Sequence, residues 1–168
     1  HVTEGAEATG AGKLAIKIDL PLAKPSATHI DGEYSFAGNR LKLTGAVPVL
    51  NQLSGKLAFT ERDVRAPQLT ADVLGGSARL AIAGSDGRTH IAAQGTADLG
   101  QLRVEFPKAA MAKRVTGTTD WQLAIDASGE ASTGTLESSL RGASIDLPPP
   151  LAKLASDTVP LRLERRIA

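Results

Sequence analysis

Residues 8–22 read ATGAGKLAIKIDLPL, and this stretch decides the structural class of the chain. Apolar side chains stand at every second position, with charged or small residues between them. The apolar positions are Leu14, Ile16, Ile18 and Leu20. A period of two is typical of a β-strand with one apolar face and one solvated face. The stretch therefore predicts an amphipathic strand, and the apolar face of such a strand needs a cover.

The same pattern returns in residues 115–129, VTGTTDWQLAIDASG. When Gly10 is aligned with Gly117, the apolar positions of the two stretches coincide. The coinciding pairs are Leu14 with Trp121, Ile16 with Leu123, and Ile18 with Ile125. The tetrapeptide IDLP also occurs twice, at 18–21 and at 145–148. Repetition of this kind fits a stack of similar units that grows in one direction.

The remaining segments alternate in the same way and are separated by turn residues. Glycine with asparagine, glycine or aspartate predicts turns at 37–39, 75–76 and 85–87. Short strands joined by tight turns predict an antiparallel meander of roughly nine to eleven strands. Pro107 and the alanines after it predict one short helix over 107–114. The three prolines at 148–150 end the strand pattern and predict an extended or single-turn segment.

The composition argues against several classes of protein. The chain has 19 basic and 18 acidic residues, a net charge of +1, whereas nucleic-acid binders usually carry a clustered basic excess. It has no cysteine, which excludes disulfide frameworks, thiolate zinc sites and cysteine nucleophiles. Its longest apolar runs are only a few residues, so the sequence predicts neither a transmembrane segment nor a secretory signal.

No constellation of catalytic residues emerges from the motifs. The histidines His1, His29 and His90 are scattered, and none has the helical spacing of a metalloprotease pair. Nucleophile elbows, phosphate-binding loops and dinucleotide fingerprints are also missing. Asp19 and Asp126 occupy equivalent places in the two similar strands, where solvated polar-face positions explain them better than paired carboxylate chemistry. We therefore predict no enzymatic activity, no catalytic residue, no metal site and no cofactor.

The apolar face of the predicted sheet is the feature that points to function. Roughly twenty large apolar side chains share it, each worth about 1.5–3 kcal/mol when buried. The sheet could close on itself as a sandwich or barrel, which composition favours. The short helix could plug part of it, or an apolar ligand could lie along it. Repetition favours the last arrangement, because units stacked end to end continue one surface instead of closing it.

Three stretches resemble AsmA-like proteins of the YhdP family. Residues 53–84 resemble that family's run of strands leading to a turn of small residues. Residues 106–126, FPKAAMAKRVTGTTDWQLAID, are similar to its short helix followed by a new amphipathic strand. Residues 138–166, SSLRGASIDLPPPLAKLASDTVPLRLERR, are similar to its recurring ending L.G....LP.PL.K.A....PL.L, the most specific of the three. The resemblance runs from about Leu53 to Arg166.

This resemblance implies a fold and a location. The expected fold is mainly β: a curved, extended antiparallel sheet, an open groove or half-barrel built from repeats, with one or two short helices. The chain, residues 1–168, would be a single fragment of a larger groove, with approximate repeat units 8–52, 53–114 and 115–168. The parent protein would be anchored in the inner membrane of a Gram-negative bacterium, with this part in the periplasm.

The resemblance also implies a function, which is the transport of phospholipid towards the outer membrane in support of envelope integrity. Phospholipid is the expected ligand, and membranes would be reached through other parts of the parent protein. Envelope proteins are possible partners, and nucleic acid is not expected. The residues expected to line the groove are Leu14, Ile16, Ile18, Leu57, Phe59, Leu80, Ile82, Trp121, Leu123 and Ile125. The alternatives are a sealed β-sandwich that acts as a spacer or docking module in the envelope, and a discrete carrier of one lipid.

Overall fold

The computed structural model describes residues 7–21, 28–43, 47–129 and 131–167. It contains one antiparallel sheet of ten strands, and 67% of the described residues lie in strands. The strands are β1 (Glu7–Asp19), β2 (His29–Lys42), β3 (Leu50–Thr60), β4 (Val64–Val73), β5 (Gly76–Ser85), β6 (Arg88–Asp98), β7 (Val115–Ser128), β8 (Ala131–Ser138), β9 (Ala143–Ile145) and β10 (Leu161–Ile167). This result confirms the predicted fold class.

The strands follow each other in the sheet as they do in the sequence. The order is β1 to β8 and then β10, while β9 pairs with the first residues of β7 beside β8. β1 and β10 are the two ends of this path, and the described strands do not close into a barrel. Tight turns at Leu74–Gly75 and Asp86–Gly87 have positive φ at both residues, which is the turn geometry that suits hairpins. The predicted turn at 85–87 is therefore confirmed, and the one predicted at 75–76 lies one residue earlier, because Gly76 already begins β5.

The predicted turn at 37–39 is wrong. Ala37, Gly38 and Asn39 lie within β2, where the register against β3 shifts between Ala37 and Asn39. Gly38 has φ of +73°, and the Asn39 side-chain Oδ1 accepts a hydrogen bond of 2.8 Å from the Ala37 N–H. Glycine followed by asparagine therefore forms a β-bulge here, because both residues tolerate the backbone that a bulge or a turn requires.

The predicted helix at 107–114 is displaced. A 3-10 helix covers Leu99–Gln101, the only described α-helix, α1, covers Leu102–Glu105, and a second 3-10 helix covers Ala110–Lys113. The α-helix ends before Phe106, which precedes Pro107, because proline disfavours helical geometry in the residue before it. The helical segment starts early because the Asp98 carboxylate accepts a hydrogen bond of 2.8 Å from the Gly100 N–H.

The buried core lies in the middle of the sheet. Its most buried members are Leu53, Ala66, Leu69 and Ala71, on β3 and β4. The partly buried residues that pack against them all come from β2, β3 and β5, and they are Phe36, Leu41, Leu50, Leu57, Leu80 and Ile82. No second sheet lies over them in the described parts of the chain. Complete burial of Ala66 without a second sheet indicates that neighbouring strands curve towards the apolar side.

The segment after β8 is held by a buried lysine. Lys153 is 5% exposed, and its Nζ donates hydrogen bonds of 2.7 Å to the Ala143 carbonyl and 3.0 Å to the Leu154 carbonyl. Its backbone also pairs with that of Ile145 through two hydrogen bonds. The prolines at 148–150 thus lie in a loop between 145 and 153 that is closed at its base. The Leu151 N–H donates a hydrogen bond of 3.0 Å to the Pro148 carbonyl, so the prolines form a single turn, one of the two predicted alternatives.

Replacing Lys153 with methionine should lower the free energy of unfolding by about 1–3 kcal/mol, because it removes the side-chain donor from the buried Ala143 carbonyl oxygen. Methionine has a similar length, so packing changes little. Urea denaturation measures the loss, and Lys108→Met, at an exposed position, is the matched control with an expected change within about 0.5 kcal/mol. Equal stability of the two variants would contradict the assigned role of the lysine.

Candidate functional site

The register of the sheet puts all ten predicted groove residues on one face. Cross-strand partners in an antiparallel pair point to the same side. Leu14 lies opposite Tyr34, which lies opposite Leu57. On the other half of the sheet, Ile82 lies opposite Ile91, which lies opposite Ile125. We call this side, which carries the ten predicted residues and the core, the apolar face.

A continuous row of small and apolar residues crosses the apolar face. Each member is the register partner of the next, and the row runs through every strand of the main path from β1 to β10. Its members are Gly12, Phe36, Gly55, Leu69, Leu80, Ala93, Leu123, Leu136 and Leu163. With neighbouring strands about 4.8 Å apart, eight intervals give a length of about 38 Å. We call this row the apolar stripe; none of its side chains carries a charge or a hydrogen-bonding group.

The exposure of the apolar face changes along the sheet. On β1 the predicted residues are exposed, with Leu14 at 55%, Ile16 at 49% and Ile18 at 61%. The other seven predicted residues, on β3, β5 and β7, are partly buried, and none of the ten is fully buried. The cover by a second sheet that the composition favours is absent from the described residues. Much of this face is therefore open to a guest molecule.

The opposite face is polar and carries the ion pairs. Lys56 Nζ lies 2.9 Å from a Glu33 carboxylate oxygen, and His90 Nδ1 lies 2.7 Å from an Asp126 carboxylate oxygen. All four side chains are largely exposed, so these pairs contribute little to stability. They keep the polar face in water and leave the apolar face as the one suited to hydrocarbon.

The histidines and the two equivalent aspartates do not form a shared site. Asp19 is on β1 and Asp126 on β7, with five strands between them in the sheet. The pKa of His29 is raised, mainly by the hydrogen bond that it shares with Glu61 and by the charge of that carboxylate. Glu61 in turn has a lowered pKa, mainly because backbone N–H groups donate to it. His1 lies outside the described residues, and the described ranges hold no cluster of three metal-ligating side chains.

Several residues of the apolar stripe were not among the predicted ten, including Phe36, Leu69, Leu136 and Leu163. Leu69 shows why strict alternation is not enough to find them. The apolar face of β4 carries Val64 and Ala66, then Leu69, because the register shifts between Ala66 and Leu69. Pro67 inside the strand is the sequence signal that could have indicated this irregularity.

None of the helices in the described ranges has the length and apolar character that a membrane span requires. Among curated proteins and solved structures, no match to the chain was found. Among protein families, the chain matches the family described as YhdP protein over residues 1–168. Because the match covers every residue, and because an open antiparallel sheet agrees with the resemblance in residues 53–166, the chain belongs to the YhdP family.

Proposed function

We propose that the chain is a segment of a bridge-like conduit whose apolar face carries phospholipid acyl chains across the periplasm towards the outer membrane. The YhdP family belongs to a non-enzymatic group of AsmA-like envelope and lipid-transport proteins. The remainder of the protein would anchor it in the inner membrane and supply its contacts with membranes. Phospholipid is the proposed partner, envelope proteins are further possible partners, and nucleic acid is not one.

The apolar stripe is the observation that carries this proposal. It runs along the hydrogen-bonding direction of the sheet, so a lipid moving across successive strands stays in contact with hydrocarbon for about 38 Å. Each buried methylene group of an acyl chain gains about 0.8 kcal/mol on leaving water. No position of the stripe offers a charge or a hydrogen bond that would hold the lipid in one place, which favours movement over tight binding.

The two similar strands of the sequence suggest how a long stripe is built, namely from repeated units. Gly10 and Gly117, which align in the two similar strands, both have positive φ, at +120° and +92°. We propose that units of about 8–52, 53–114 and 115–168 each contribute a few strands to one surface. In this arrangement the free edges of β1 and β10 would be the places where further strands continue the sheet.

Site-specific photocrosslinking tests the conduit. A photoreactive phenylalanine analogue is placed at Leu123 or Ile16, on the apolar face, in Gram-negative cells that make the protein. The matched controls are Gln122 and Lys17, each the sequence neighbour of its test position and therefore on the opposite face. After irradiation, mass spectrometry of the purified protein should find phospholipid adducts at Leu123 and Ile16 and none above background at the controls.

Equal adducts from both faces would mean that lipid meets the protein without a groove, which would contradict the proposal. An absence of adducts at all four positions, with correctly folded protein, would favour the alternative of a structural or assembly module. Adducts restricted to Leu123, with none at Ile16, would favour a carrier with one closed pocket.

A further inference from the structure

Trp121 is the one tryptophan of the chain, and it lies on the apolar face beside the apolar stripe. Its register partner on β6 is Gly95, which lies opposite Ala78 on β5, so the indole is next to a row of small residues. On the same face of β7, the next residue towards the C-terminus is Leu123, a member of the apolar stripe. The next residue towards the N-terminus on this face is Thr119, whose hydroxyl lies 3.3 Å from that of Ser138. Trp121 therefore stands where the apolar part of the face meets a polar part.

The indole Nε1 is buried, and no residue that the structure describes accepts a hydrogen bond from it. Buried polar groups in proteins are almost always paired, because an unpaired donor loses its hydrogen bonds to water without compensation. Core packing alone does not require the N–H group of a tryptophan. A tryptophan at the border of an apolar surface usually directs its N–H to a polar partner while its ring stays in contact with hydrocarbon.

The chemistry of the surroundings limits what the acceptor can be. An acceptor that enters together with hydrocarbon must be neutral, because a phosphate or carboxylate would lose its hydration against the apolar face. In a glycerophospholipid, the neutral acceptors next to the acyl chains are the ester carbonyl oxygens. These carbonyls lie between the hydrocarbon and the head group, as Trp121 lies between the apolar stripe and the Thr119–Ser138 pair.

We propose that the Trp121 N–H donates a hydrogen bond to an acyl ester carbonyl of the bound lipid, so that the face distinguishes ester-linked from ether-linked lipids. This inference rests on the proposed function and adds to it a residue that determines specificity. Because Nε1 is buried, this proposal requires the indole or its neighbours to move when the lipid binds.

The test measures the affinity of the protein for two short-chain phospholipids below their micelle concentrations. The two lipids have the same head group and chain length and differ only in ester or ether linkage. Isothermal titration calorimetry should give an ester preference of about three- to tenfold, the range expected for one hydrogen bond. Trp121→Phe should bind both lipids alike. Phe59→Leu, which removes a ring without a polar atom, should weaken both and keep the preference.

A wild-type protein that binds both lipids equally would overturn the inference while leaving the proposed function in place. A preference that persists in Trp121→Phe would also overturn it, since another group would then recognise the ester. If neither lipid bound the wild-type protein, the proposed function and the inference would fall together. Because the comparison in the wild-type protein needs no variant, poor folding of Trp121→Phe would not remove the test. The emission of Trp121 itself should shift more with the ester lipid than with the ether lipid.

Discussion

Replacing Leu53 with alanine should lower the free energy of unfolding by about 2–5 kcal/mol, a large part of the stability of a domain of this size. Leu53 is 2% exposed and is the largest side chain that is fully buried in the described residues. It packs with Ala66, Leu69 and Ala71 at the point where β3 and β4 meet. Truncation there leaves a cavity, because packed neighbours relax only partly into the space of the removed atoms.

The matched control is Leu14→Ala, the same substitution on the same face of the sheet. Leu14 is 55% exposed on the edge strand β1, so the expected loss is about 1 kcal/mol or less. Urea denaturation followed by circular dichroism measures both values. Equal losses would show that β1 is sealed as tightly as the centre, and the distinction between core and guest surface would be wrong.

The apolar face is therefore buried in the middle of the sheet and exposed on β1. The middle strands β3 and β4 carry the most buried side chains, and no second sheet covers them in the described residues. The residues of β1, and the partly buried ones of β5 and β7, keep area that a guest can cover. A sandwich of the same composition would bury all of them, and the fold would then have no room for hydrocarbon.

The sequence was sufficient to predict most of the strands and their apolar side, because a period of two holds over most of each long strand. It was not sufficient to predict where the period changes phase. Gly38 and Asn39 have the composition of a turn, and only pairing with β3 makes them a bulge inside one long strand. In β4 the apolar positions change from even to odd after Ala66, which a window of alternation cannot detect.

The helical segment shows a related limit. Proline is common at the first position of a helix, which favoured a start at Pro107. The structure instead uses the Asp98 side chain as a cap and ends α1 at Glu105, before the proline. Both uses of proline are common, so the residue alone does not decide between them. Lys153 is a position of the recurring ending L.G....LP.PL.K.A....PL.L, but its burial could not be predicted from the sequence, because that burial depends on carbonyl groups that only the folded loop provides.

Replacing Ile16 with aspartate should reduce phospholipid binding by about tenfold or more while the sheet stays folded. A carboxylate on the apolar face loses hydration whenever an acyl chain covers it, and that cost opposes binding. Without lipid the same carboxylate reaches water, because Ile16 is 49% exposed, so stability should fall by only about 1 kcal/mol. Native mass spectrometry of gently purified protein counts the bound lipid, and thermal unfolding checks the fold.

The control for this variant is Ser35→Asp, which adds the same charge to the opposite face. Ser35 lies between its register partners Lys13 on β1 and Lys56 on β3, so the new carboxylate has cations on both sides. We expect unchanged lipid content and unchanged or slightly higher stability. If Ile16→Asp unfolded the protein, the β1 face would be part of a sealed core. If both variants kept their lipid, hydrocarbon would not travel over β1, and the path of the lipid would have to lie on the other strands of the apolar face.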